Sequence, residues 1–200
     1  MISSKKKFKA LSATILSLAI VLSVFTPAEA SSADKAFLDD IVESQPYAIV
    51  VTGADNIAAY KEAGIIKSYT PDSSKLQNID VLKDADSISI MGTSIPTSPW
   101  DLGNNNYRNF TYSMSTYLYS NYKYMPDAYS LDIWHEITPD QPQKLKIQCY
   151  KSSDNSTWGK GFELEIDDVA YAGIATPLGY YYFKYSSIEG KTISGSGVVY

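Results

Sequence analysis

The chain has 200 residues with 22 acidic and 17 basic side chains, one histidine and one cysteine. One cysteine cannot form an internal disulfide, and a lone His135 with a lone Cys149 cannot furnish the paired imidazole or thiolate ligands that zinc and copper need. Residues 31–200 alone hold 21 acids and 13 bases, a net charge of −8, which repels phosphate backbones and acidic membranes, so nucleic acid is a poor partner.

Residues 1–30 read as a secretory signal. Lys5, Lys6, Lys7 and Lys9 precede an apolar run over residues 10–25, and Pro27-Ala28-Glu29-Ala30 ends in a small-x-small cleavage pattern. The run is short for a membrane span and no later stretch is long and apolar enough, so a released, extracellular protein without a span is expected. A lysine-rich signal on a cysteine-poor product suggests a bacterial source.

Aromatic usage divides the remainder. Of 17 tyrosines, 14 lie between Tyr107 and Tyr200, whereas residues 31–90 are rich in Ala, Asp, Ile and Lys. The expected organisation is therefore a signal (1–30), a short α/β or helical N-terminal segment that could be a pro-region (31–90), and a β domain (91–200). In the N-terminal segment, Ser32 and Asp34 can cap a helix carrying Phe37, Ile41 and Val42. Tyr47–Val51 is a strand-like run, and ADNIAAYKEAG follows as a helix with Ile57, Tyr60 and Ala63 on one stripe and Gly64 as its stop. The Thr52-Gly53 turn ahead of it lacks both G-x-G-x-x-G and a G-K-[ST] lysine, so it is a plain strand-to-helix turn and not a phosphate loop.

The second part alternates with period two. Phe110, Tyr112, Met114, Thr116 and Leu118 oppose Thr111, Ser113, Ser115, Tyr117 and Tyr119. Tyr129, Leu131 and Ile133 oppose Ser130, Asp132 and Trp134. Leu145, Ile147 and Cys149 oppose Lys144, Lys146, Gln148 and Tyr150, and Phe162, Leu164 and Ile166 oppose Glu163 and Glu165. Two closing strands, 180–186 and 191–200, flank the Ile188-Glu189-Gly190 turn. Parity sends Tyr181, Phe183 and Tyr185 inward, and places the glycines of ISGSG with Ile193 and Val199, where they leave room for large rings opposite. With 87–91 as a first strand, this predicts a mainly β fold: an antiparallel β-sandwich of about seven strands, or a small β-barrel.

Catalytic and metal residues are not assigned. A Ser-His-Asp set would have to use His135, which lies on the inward side, and no G-x-S-x-G elbow is present. Asp132 and Glu136 flank Trp134, but four residues along a strand is about 13 Å, too far for a retaining carboxylate pair. Calcium stays open through Asp84 with Asp86, Asp154-Asn155 or Asp167-Asp168, although such residues in turns usually bond their own backbone. Rings on polar faces are the remaining signal: Tyr117, Tyr119, Trp134, Tyr180 and Tyr182 form the expected ligand-binding set, suited to stacking on a glycan or anchoring a protein partner, with Trp100 and Trp158 able to join. The competing expectation is that these rings pack beneath the N-terminal part or a loop. The leading reading is a secreted, non-enzymatic binding protein. A pore-forming toxin built on the serine-rich alternation of residues 111–121, or a secreted hydrolase, is the alternative.

Overall fold

Twelve strands and two helices make up the described part of the computed structural model, which covers residues 48–67, 89–105 and 107–200. In chain order these are β1 (Ala48–Thr52), α1 (Ala54–Glu62), β2 (Ser89–Ile90), β3 (Pro99–Asp101), α2 (Leu102–Asn105), β4 (Arg108–Met114), β5 (Tyr117–Tyr119), β6 (Lys123–Met125), β7 (Asp132–Pro139), β8 (Gln143–Lys151), β9 (Thr157–Ile166), β10 (Ala170–Ala175), β11 (Tyr181–Ser187) and β12 (Ile193–Val199). The signal, the Ser32–Val42 helix and the Asp84/Asp86 pair of the sequence reading lie outside the described residues.

The strands form two six-stranded sheets, and the fold is a mainly β sandwich. The first sheet runs β1-β10-β7-β12-β4-β2. The second runs β3-β6-β11-β8-β9, with β5 also paired to β11. Pairing is antiparallel except at β2–β4 and β3–β6. The core between the sheets takes Phe110, Tyr112, Ile133, Ile137, Ala172 and Val199 from the first and Leu145, Ile147, Cys149, Leu164, Tyr181, Phe183 and Tyr185 from the second. The inward assignment of Tyr181, Phe183 and Tyr185 therefore matches the structure. So does the fit of rings to glycines: Gly195 pairs with Tyr112 and Gly197 with Phe110, and a Cβ would crowd the Tyr112 hydroxyl at the first and overlap the Phe110 ring at the second.

Several expectations are corrected. The strand predicted from Tyr129 begins at Asp132, because Asp127 holds a turn: its carboxylate accepts the Tyr129 N–H and its carbonyl the N–H groups of Ser130 and Leu131. Leu131 has φ 50°, and Tyr129 ends outside, 72% exposed, instead of inward. The continuous strand expected over 110–119 is two strands in different sheets, β4 and β5, with exposed Ser115 and Thr116 at the corner. The strand count exceeds seven because β3 and β6 are only three residues each, too short for a period. β10 escaped for the opposite reason: all six of its residues are buried, so it shows no alternation.

One strand from before the composition change at residue 90 joins the first sheet. β1 pairs with β10 from Ala48–Ile174 to Thr52–Ala170. α1 starts after Gly53 (φ 83°) and stops at Gly64 (φ 68°), as its glycines predict. Ile57, Val51 and Ile66 then close over Trp134 and Tyr171 as a second, smaller core on the outer side of β7 and β10.

Candidate functional site

The outer face of the second sheet carries the candidate site. On β11 the side chains opposite Tyr181, Phe183 and Tyr185 are Tyr182, Lys184 and Ser186, and their cross-strand partners are Tyr150, Gln148 and Lys146 on β8 and Tyr119 and Tyr117 on β5. Strand spacing of roughly 5 Å brings these rings into contact. Tyr150 and Tyr182 stack with centroids 5.1 Å apart and planes at 6°. Tyr182 meets Tyr119 edge-on at 5.9 Å, and Tyr119 meets Tyr117 edge-on at 5.6 Å. The result is an unbroken row of four tyrosines across three strands.

Lys184 lies along the row. Its Nζ is 4.2 Å from the Tyr117 centroid and 6.0 Å from that of Tyr119, close enough for attraction by both ring faces. At the far end the Tyr182 hydroxyl donates to Asn155 Oδ1 at 3.1 Å. Asn155 sits at φ 59° in the β8–β9 turn, where Asp154 accepts both the amide and the hydroxyl of Ser156, and those bonds hold the Asp154 carboxyl below its ordinary pKa. That Asx-type arrangement is the self-bonding turn chemistry common to Asp and Asn in turns.

The expected ring set separates under this geometry. Tyr117 is 39% exposed and Tyr119 half-buried. Tyr180 is 40% exposed but precedes β11 and belongs to no ring contact among those described. Tyr182 points outward as parity requires yet is only 1% exposed, because Tyr119 and Tyr150 close on it from both sides, which corrects the expectation that it is open. Trp134 is a second correction: it is 3% exposed beneath α1, and its Nε1 donates to Asp132 Oδ2 at 2.9 Å. Asp132 is in turn held by Lys67 at 2.8 Å. Trp100 and Trp158 are also buried, Trp158 donating to the Ala175 carbonyl at 2.8 Å. Sequence reasoning placed Tyr150 outward but left it out of the set; its parity with Lys146 was the available signal.

The groups considered for catalysis lie elsewhere. His135 is fully buried between the sheets, edge-on to Phe183 at 4.4 Å and to Tyr185 at 5.9 Å. Burial pushes its pKa down to about 3, and the Ala172 backbone opposes that only in part. The Cys149 thiol is buried and pushed up by the same cause. A cavity of about 530 Å³ opens between β1 and β9, lined by Ala48, Cys149, Trp158, Lys160, Phe162 and Ile174, and among the described residues no carboxylate or imidazole lines it.

No family model, curated protein or solved structure matches this chain.

Proposed function

We propose that this chain is a secreted, non-enzymatic binding protein that recognises a glycan through the tyrosine row. The supporting observation is the packing of Tyr117, Tyr119, Tyr182 and Tyr150 side by side on an outer sheet face with Lys184 across them. Tyrosine suits sugar recognition because its ring offers an apolar face for C–H groups and its hydroxyl a hydrogen bond, with few rotatable bonds to immobilise. The wedged Tyr182 holds its neighbours in place, so ordering costs on binding are small. Secretion rests on the sequence of residues 1–30.

The test is retention on an array of neutral and acidic glycans with wild type, Tyr117→Ala, Tyr119→Ala and Tyr129→Ala. Expected are binding by wild type and Tyr129→Ala, and a loss of at least tenfold, about 1.4 kcal/mol, in the other two with urea midpoints unchanged. Absence of wild-type binding to every glycan, or equal binding by all four proteins, would defeat the proposal.

A further inference from the structure

Arg108 is the chain's one arginine, and it is 4% exposed. It opens β4 on the side shared with Phe110 and Tyr112, which faces the second sheet. Its guanidinium carbon lies 4.8 Å from the Trp100 ring and 4.9 Å from the Tyr122 ring, and those rings are 5.2 Å apart at 55°. Nη2 donates to the Tyr122 hydroxyl at 3.0 Å. Among the described residues Nε and Nη1 have no acceptor, and neither does the buried indole nitrogen of Trp100. Asn121, next to Tyr122 in the chain, has a buried Nδ2 in the same condition. None of the ion pairs among the described residues involves Arg108.

A guanidinium cannot shed its charge, and arginine is almost never buried without a partner. The two rings meet part of that need through their faces. Attraction to a ring face does not satisfy the N–H groups, which lie in the guanidinium plane and require acceptor atoms there. The cluster therefore has donors and positive charge in excess, and lacks acceptors bearing negative charge. Tyr122 and Asn121 are half-buried, so the cluster borders the surface at these two side chains. We propose that Arg108, with Trp100 and Tyr122, forms a binding site for a small oxyanion: a carboxylate, sulfate or phosphate group. It is separate from the tyrosine row and independent of the glycan proposal.

Thermal unfolding in sodium acetate, phosphate and sulfate, each against sodium chloride at equal ionic strength, tests the site. For wild type, a saturable rise in melting temperature with at least one anion is expected, together with a saturable fluorescence change that Trp100→Phe abolishes. Arg108→Met should lose both, and Tyr119→Ala should keep both. A rise that does not saturate and is equal in Arg108→Met is general exclusion of the salt from protein surface and overturns the proposal. So does a crystal structure grown in these anions with only water on Nε and Nη1. If Arg108→Met does not fold, Arg108→Lys decides: it keeps the charge without the fork and should bind at least tenfold more weakly, and unchanged binding overturns the site. Glucuronate in place of acetate separates sources, since tighter binding points to an oxyanion carried on a larger ligand and equal binding to the free ion, both in support.

Discussion

His135 makes this fold acid-sensitive in a way that a single substitution isolates. Its folded pKa is about 3, against an ordinary value of 6.5 that the unfolded chain regains. Because the unfolded state binds the proton more readily, the contribution to stability is complete above about pH 6.5 and is lost as pH falls toward 3, with a slope approaching 1.4 kcal/mol per pH unit. Carried to pH 5, that is a loss of about 2 kcal/mol, a sizeable part of the 5–15 kcal/mol typical of a folded domain. The ring is fully buried between the sheets, so solvent does little to screen the effect. The assay is urea unfolding at pH 7.5 and 5.0 for wild type and His135→Phe, which keeps a flat ring against Phe183 and Tyr185. As the chain has no other histidine, wild type should lose about 2 kcal/mol more than the variant over this interval. Equal losses, or an imidazole proton resonance titrating near pH 6.5 in the folded protein, would refute the reasoning.

Two further substitutions probe the smaller core. In Gly173→Ala the new Cβ would stand 2.7 Å from the Trp134 indole, which its bond to Asp132 keeps from moving aside; a loss of about 1–3 kcal/mol in urea and a red-shifted tryptophan emission are expected. Asp132→Asn should cost less than about 1 kcal/mol, and that cost should vanish at 1 M salt, because the Lys67 pair is half-exposed; Asp132→Ala, which also strands the Trp134 N–H, should cost about 1–2 kcal/mol more at any salt.

These contrasts show where period-two reading succeeds. β8 alternates because one face meets the core and the other carries Lys144 and Lys146 to Glu165 and Glu163, so Leu145, Ile147 and Cys149 were legible as inward. Parity fixes which residues share a face, but not whether a second layer covers it. Trp134 stands between two acids and reads as solvated, yet α1 and β1 arrive from more than 70 residues earlier in the chain to cover it. Among the described residues no layer covers Tyr182; its neighbours' rings seal it, a property of three strands at once. Arg108 has no sequence signal at all, since a single charge at the start of an otherwise regular strand is ordinarily a flank.

Coverage also explains why the second sheet, and not the first, carries the proposed binding face. On the first sheet, the outer side of β7 and β10 is taken up by Val51, Ile57 and Ile66. The uncovered remainder, on β4 and β12, presents Thr111, Ser113, Ser194 and Ser196, small hydroxyls that contribute little anchoring area. On the second sheet, the β8–β9 half of the outer face is occupied by lysine–glutamate pairs that are well solvated and weakly coupled. Among the described residues, only the strip where β5, β11 and β8 meet joins large rings, a cation held against them and a geometry already fixed by mutual packing on an outer face. An aromatic anchor of that kind is energetically useful because its order is established before a ligand arrives.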